Sequence, residues 1–402
     1  MANNEAGFVR TFKKRQIDMI KPVNDRIPWW EPQIGREEYD LVKEVLDSNF
    51  LNDGEFTSRF ERQLAQKLGV KHVVAVSNGT TALFAALAGL GLGPGDEVLA
   101  PDVTFIATAN AVSLTGARPV LVDVDEKRLT IDVEAARRAL TRRTRAIIPV
   151  HVSGRGADMS GILNLAREHQ LYVIEDAAEA LLSRQNGVCL GTMGAAGCFS
   201  FSPNKTVMCG QGGAAVTNND QLNVRMREIK DQGRPVRGTG GNDIHESIGY
   251  NFKLTNLQAA VGLAQLDQLE NRVKKLKQIY RWYRAKLNDI EGIDWPGFDL
   301  ARGESPQWVD ILLDERDALF QYLAGRNIDC RCYWHPLHTQ KPYRLPDDKF
   351  VNSTRQAPRA LWLPSAFTLS EDDIDTVCRT VREFRDNRRK KSNICQPSGA
   401  IS

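Results

Sequence analysis

Two periodicities divide the chain. Residues 1 to about 27 are polar and lack a sustained period; from 36 to about 70 the apolar positions recur every three to four residues. Tyr39, Val42, Val45 and Leu46 mark one face of a segment at 36–47, and Phe60, Leu64 and Leu68 mark one at 56–68. Both predict amphipathic helices. From residue 72, short apolar runs alternate with helical stretches. The runs at 72–76, 97–100, 119–124, 145–150 and 171–174 predict buried strands, and 80–90, 104–114, 133–140 and 159–169 predict the helices between them. Strands that are apolar on both faces need cover on both. The alternation therefore predicts an α/β fold, a mainly parallel sheet between helical layers.

Beyond residue 213 helical spacing takes over, with segments at 256–269 and 273–287. A Gly/Pro-rich break at 292–303 leads into a smaller α+β unit, with a helix at 315–324, a strand at 328–333 and a closing helix at 371–384. The expected organisation is a mobile N-terminal arm (1–27), a large domain (28–275), a small C-terminal domain (276–384) and a basic, disordered tail (385–402).

The chain's 402 residues suffice for two domains. No apolar run approaches membrane-spanning length and the N-terminus lacks a signal-peptide pattern, so a cytoplasmic protein without a membrane partner is expected. Seven cysteines include no CxxC pair, which suggests neither a disulfide framework nor a metal site and fits a reducing compartment. Cys330-Arg331-Cys332 reads as a structural C-x-C within a strand. The net charge of +3 is concentrated at 385–391, where five cations meet one carboxylate. Without interleaved aromatics, that run predicts a solvated end rather than a nucleic-acid partner.

Three junctions carry candidate chemistry. Ser77-Asn78-Gly79-Thr80-Thr81 lies between a strand and a helix, where free N–H groups and the helix dipole make an anion site or, more simply, a threonine cap. Glu175 and Asp176 stand at the C-terminal end of a buried strand, the edge where parallel sheets place ligands; a carboxylate there needs a cationic partner or several donors. Lys205 sits in a polar turn before the glycine cluster Gly210-Gln211-Gly212-Gly213. Alone it reads as a solvated lysine; pointed into a site, it is a desolvated amine suited to forming a Schiff base.

Together, a phosphate-type turn, the aromatic Phe105, a strand-end aspartate and a turn lysine follow the order found in pyridoxal-phosphate enzymes of the large α/β fold. The segments SNGTTAL (77–83), GPGDEVLAPDVTFIATANAV (93–112), IIPVHVSG (147–154), VIEDAAEA (173–180), GCFSFSPNKTVMCGQGGAAVTN (197–218) and IGYNFKLTNLQAAVGLAQL (248–266) resemble the DegT/DnrJ/EryC1/StrS family of sugar aminotransferases. The likeness runs from about residue 28 to 384 and is strongest to the perosamine-forming branch.

The resemblance implies an aspartate-aminotransferase-like fold (fold type I). It implies pyridoxal 5'-phosphate as cofactor, passing through pyridoxamine 5'-phosphate, and ping-pong transfer from L-glutamate to a keto-deoxy sugar nucleotide, with the 4-keto position of a GDP-4-keto-6-deoxymannose-like sugar as first choice. Lys205 would bond the cofactor and shuttle the proton. Asp176 would pair with the ring nitrogen, Phe105 would stack on the ring and Glu179 would approach its hydroxyl. Gly79, Thr80, Thr81 and Ser200 would hold the phosphate, and Asn251 would reach the neighbouring subunit's cofactor in a homodimer with shared sites, or in a tetramer of such dimers. Lys253 would meet a nucleotide phosphate. His335 and His338 lie in a segment that relatives bring near the sugar, but a role in loop structure is preferred for them over substrate contact. Gln211, Ser153 and Lys253 depart from the family's usual residues. The alternatives are a 3-keto sugar aminotransferase and a dehydratase using pyridoxamine phosphate; the latter has histidine where this chain has Lys205.

Overall fold

The computed structural model describes residues 26–235 and 243–394, and side chains up to residue 388. Two helices open it, α1 (Arg36–Asp47) and α2 (Glu55–Leu68). The second turns one face inward, where Phe60 meets Phe201 edge-on at 5.2 Å, and it stops at Gly69, whose φ of 72° suits a residue without Cβ. The alternating region follows as β1 (His72–Val76), α3 (Gly79–Gly89), β2 (Glu97–Pro101), α4 (Ala107–Leu114), β3 (Arg118–Val122), α5 (Val133–Arg138), β4 (Thr144–Ile147), α6 (Met159–His169) and β5 (Tyr172–Asp176). Next come a short hairpin, β6 (Arg184–Gln185) and β7 (Val188–Cys189), then β8 (Ala196–Ser200), β9 (Gly213–Thr217) and α7 (Asp220–Lys230).

Seven strands form one sheet in the order β1-β9-β8-β5-β4-β2-β3. The run from β8 through β5, β4 and β2 to β3 is parallel, while β9 pairs antiparallel with both β8 and β1. The C-terminal ends of β5 and β8 thus lie side by side, and the turn from β1 into α3 opens beside them.

The chain continues through α8 (Asn256–Asp267) and α9 (Leu269–Leu287). Thr255 caps α8 and Gln258 returns the bond, a reciprocal box that fixes where the helix starts. A second sheet of β10 (Asp310–Leu312), β11 (Arg331–Cys332) and β12 (Ala360–Trp362) follows, in the order β10-β12-β11. Helices α10 (Arg316–Ala324), α11 (Val351–Gln356) and α12 (Glu371–Ile394) complete the chain. A separate apolar cluster packs Ile279, Tyr283, Ile311, Leu361 and Val377 around this sheet.

The structure differs from the expected boundaries in three places. The boundary drawn at 275 falls inside α9, whose Leu269 belongs to the first core and whose Ile279 to Leu287 belong to the second. Ile27, assigned to the arm, bridges to Ile328 in the second core, and Arg26 pairs with Asp329; residues 1–25 of that arm lie outside the described residues. The closing helix does not end at 384. It runs to Ile394 and takes the basic run 385–391 with it, since arginine and lysine are good helix formers. The rest of the expected tail, 395–402, lies outside the described residues.

Candidate active site

The turn that carries Lys205 is fixed on several sides. As β8 ends, the N–H of Phe201 donates to Gly212 O (2.8 Å) and that of Cys209 to Phe201 O (2.9 Å), so the loop between them closes at its base. The N–H of Lys205 donates to Ser202 O at 3.0 Å. Next door, Thr206 Oγ1 donates to Gln307 Oε1 (2.6 Å), and Thr206 O accepts from Arg272 Nη1 (2.9 Å). The side chain is mostly buried. Its Nζ lies 3.2 Å from Glu179 Oε1 and 4.7 Å from the ring centre of Trp308.

Consecutive residues of a strand point to opposite faces, and β5 shows the consequence. Glu175 faces away from the cavity and accepts from the N–H groups of Gly191 (2.7 Å), Met193 (2.6 Å) and Gly194 (2.7 Å). His151 Nδ1 accepts from Ala157 N–H, which leaves Nε2–H to donate to Glu175 Oε2 at 3.0 Å. Asp176 faces the cavity. Its Oδ2 accepts from Thr108 Oγ1 (2.8 Å) and its Oδ1 from Ala178 N–H (3.2 Å), which leaves lone pairs on both oxygens. Burial pushes the Asp176 carboxyl above the usual range, against the pull of its hydrogen bonds and of Lys205. Burial raises Glu179 as well, opposed first by Lys205 and then by the Ser153 N–H, which donates to its Oε2 at 2.8 Å.

Opposite these groups stands the N-terminus of α3. Asn78 Oδ1 accepts from Thr81 N–H at 2.9 Å, capping one first-turn donor; helix geometry gives those of Gly79 and Thr80 no acceptor within the helix. Close backbone approach brings this turn to the site. A Cβ on Gly213 would lie 2.3 Å from the carbonyl carbon and oxygen of Asn78, and one on Gly79 would lie 3.0 Å from Ser200 Cβ. Ser200 Oγ shares a hydrogen bond with Ser202 Oγ at 3.1 Å.

A cavity of about 510 Å³ joins these parts. Of the expected site residues, Gly79, Thr80, Thr81, Phe105, Asp176, Glu179, Ser200 and Lys205 line it. Four do not. Lys253 gives its Nζ to Asp231 Oδ1 at 2.6 Å within the same chain. His335 is exposed outside the cavity. His338 is fully buried: its Nδ1 is 2.6 Å from Asp102 Oδ2, its own N–H donates to Asp102 Oδ1, and its ring stacks on Phe350 at 4.5 Å. His338 thus takes the loop-structure role rather than the sugar contact: it ties the 333–338 segment to the end of β2. Asn251 is exposed, bridged to Asp231, and likewise outside the cavity.

The sequence reading did not single out Thr108, Trp308, Arg331 or Trp334. Thr108 sits four residues after Thr104, its hydrogen-bond partner at 3.0 Å, and that polar pair was the available signal. The tryptophans carry no local pattern that separates them from packing residues. Trp29 and Trp30 do pack, on Trp308 (5.1 Å) and Phe367 (4.8 Å) respectively.

This donor set fits a pyridine aldehyde phosphate. Asp176, with lone pairs left open on both oxygens, suits a ring cation. The open helix N-terminus suits a phosphate, and the amine suits an aldehyde.

The class so defined is a fold-type-I, pyridoxal-phosphate-dependent aminotransferase. Residues 32–382 match the DegT/DnrJ/EryC1/StrS aminotransferase family, and the chain belongs to that family. It is 37% identical over 360 residues to GDP-perosamine synthase of Caulobacter vibrioides, covering 88% of this chain and 96% of that one. The GDP-perosamine synthase of Vibrio cholerae is 33% identical over 368 residues, covering 89% and 99%. Among solved structures, DesV of S. venezuelae superposes with a TM-score of 0.85 at 33% identity, over 90% of this chain and 98% of that one.

Proposed function

We propose that the protein transfers the amino group of L-glutamate to the 4-keto carbon of a GDP-4-keto-6-deoxymannose-like sugar nucleotide, in the cytoplasm, for amino-sugar or O-antigen polysaccharide synthesis. The observation that carries this reading is the Lys205 amine, held between Glu179 and Trp308 in one cavity with Asp176 and the α3 N-terminus. The likeness to perosamine synthases supports the sugar. Lysine rather than histidine at position 205 supports transfer over dehydration.

When bound, pyridoxal phosphate supplies an aldehyde that takes amines and a ring that accepts an electron pair. The chain supplies the rest. The first-turn N–H groups of Gly79 and Thr80, with Ser200, bind the phosphate. Asp176 holds a proton on the ring nitrogen through the lone pairs that Thr108 and Ala178 leave open. Glu179, steadied at Oε2 by Ser153 N–H, keeps Oε1 beside Lys205 Nζ. Lys205 Nζ carries the proton removed from the donor and later delivers one to the sugar carbon. Trp308 covers the lysine and excludes water.

The two apolar cores are read as a large cofactor-binding domain and a small domain joined by α9. A second copy of the chain completes the site in this reading. Ile248 is 84% exposed and Tyr250 41%, beside the exposed Asn251. Such a face suits a subunit contact that brings Asn251 to the neighbour's phosphate. Co-refolding Lys205→Ala with Asn251→Ala tests this. A mixed dimer has one site with both lesions and one with neither, so activity should recover toward about one quarter of wild type. No gain over the separately refolded variants would show that Asn251 acts within its own chain.

The function itself is tested by supplying the purified protein with pyridoxal phosphate, glutamate and the keto-sugar nucleotide. An amino-sugar nucleotide and 2-oxoglutarate in equal amounts are expected. Absence of a keto acid with every amino donor tried would refute the reading.

A further inference from the structure

Arg331 brings a second cation to this cavity. It lies on β11, on the second sheet, yet it lines the same cavity as Lys205. Its guanidinium carbon sits 5.1 Å from the ring centre of Trp29 and 5.8 Å from that of Trp362. Its side chain forms no hydrogen bond or ion pair with another described residue. Other buried or half-buried arginines here behave differently: Arg155 is paired with Asp310, and Arg227 with Glu61. An arginine held by aromatic faces keeps its edge N–H groups free, and those groups form a planar fork suited to a carboxylate or phosphate.

The charges around the cavity point the same way. Its lining holds two cations, Lys205 and Arg331, and two carboxylates, Asp176 and Glu179. Lys205 is occupied by Glu179 and by its own chemistry. Apart from the α3 N-terminus, which suits the cofactor's phosphate, Arg331 is the cation of the lining left for a substrate anion. The fork is also pre-positioned. Trp362, fully buried, is wedged against Trp308 at 5.0 Å and donates its Nε1–H to Ser153 Oγ at 2.8 Å. The platform under the arginine is thus tied to the backbone that steadies Glu179.

We propose that Arg331 is the anchor for a substrate oxyanion, taken bidentately: a carboxylate of the amino donor or a phosphate of the sugar nucleotide. This rests on the substrate classes proposed above. The anchor comes from the second sheet and the reacting lysine from the first, so one bound substrate is held by both.

The test uses the protein loaded with pyridoxal phosphate and two unreactive probes, glutarate for the carboxylate source and GDP for the phosphate source. Binding is read by tryptophan fluorescence, since Trp29 and Trp362 contact the guanidinium. Neither titration needs turnover, so failure of the proposed reaction and failure of this anchor are seen separately. Arg331→Gln should weaken one or both probes by roughly tenfold to a hundredfold, the value of a charge-assisted pair. Loss for glutarate alone assigns the carboxylate, loss for GDP alone assigns the phosphate, and loss for both means the anchor serves each substrate in turn. Arg331→Lys, which keeps the charge without the fork, should recover part of the loss. If the glutamine variant does not fold, the lysine variant is read alone, and a loss of about threefold or more is expected. Unchanged affinity for both probes, with or without a lower thermal midpoint, would reduce Arg331 to a packing residue and overturn the proposal. A wild-type protein that shows no saturable response to either probe would overturn it too.

Discussion

Lys230 is buried and Lys205 largely so, and the protein surrounds their charges differently. Lys230 is 1% exposed, and its Nζ lies 3.2 Å from Asp53 Oδ2, 3.4 Å from Glu61 Oε1 and 3.1 Å from Ala75 O. Two of its protons go to Glu61 and Ala75, and the Asp53 carboxylate adds an ionic contact. Lys205 has one carboxylate oxygen and one indole face, with open cavity beyond. The same contrast separates the neighbours Glu175 and Asp176, one with four donors and the other with two. In each pair the saturated member holds the fold together, and the unsaturated member has capacity left for a ligand.

Substitution should separate the two lysines cleanly. Lys205→Ala should lower turnover by about 10,000-fold or more and abolish the absorbance of the lysine-bound cofactor, with little change in thermal midpoint. Appreciable turnover in that variant would end the comparison, because another amine would then be doing the chemistry.

Asp176→Asn sharpens it. Activity should fall by about 100- to 10,000-fold, since an amide cannot hold the ring proton. Stability should move the opposite way. Burial raises the folded carboxyl above its ordinary 3.8, so its ionised form is the costly one without cofactor. The cofactor-free wild type therefore loses stability as pH rises from that value through the folded one. At pH 7 the cofactor-free Asn variant should melt higher than wild type, and the two should converge below about pH 4. A variant that melts lower at pH 7 would mean that Asp176 is already paired without the cofactor.

Lys230→Met should do the reverse of Lys205→Ala. Removing the cation that Asp53 and Glu61 share, with Arg227 still on Glu61, should cost up to about 3 kcal/mol in denaturant unfolding, while the cofactor spectrum of the folded fraction is retained. Burial pushes Glu61 up, but Lys230 and Arg227 outweigh it and hold its carboxyl below the ordinary 4.5. Such a group adds stability above its unfolded value and loses it as pH falls through the folded one. The gap between wild type and variant should therefore narrow in acid. A gap independent of pH would assign the cost to packing rather than to charge.

Much of the first sheet was legible because its strands are apolar on both faces and its helices carry ordinary caps; α6 begins and ends where the spacing placed it, at Met159 and His169. The second unit was harder to read. Its strands are two or three residues long, too short for any period, and β10 and β12 left no signal. The site divides in the same way. Lys205 and the α3 turn lie in continuous local motifs, and the structure gathers them with Asp176 and Glu179. The partners of His338 and Lys253 were not legible: Asp102 lies 236 positions from His338, and Asp231 is an ordinary residue just past α7. Arg331 escaped notice because its meaning depends on Trp29 and Trp362, which only the fold brings to it.

The seam between β9 and the α3 turn reaches further, to the gene. At Gly213 a side chain of any kind would occupy the space of the Asn78 carbonyl, just ahead of the donors that face the cavity. Every codon for glycine shares its first two bases, and changing either one adds a side chain or ends the chain. At this position the third base is free to drift while the first two are held, so a library of random variants should return active clones there carrying silent changes alone.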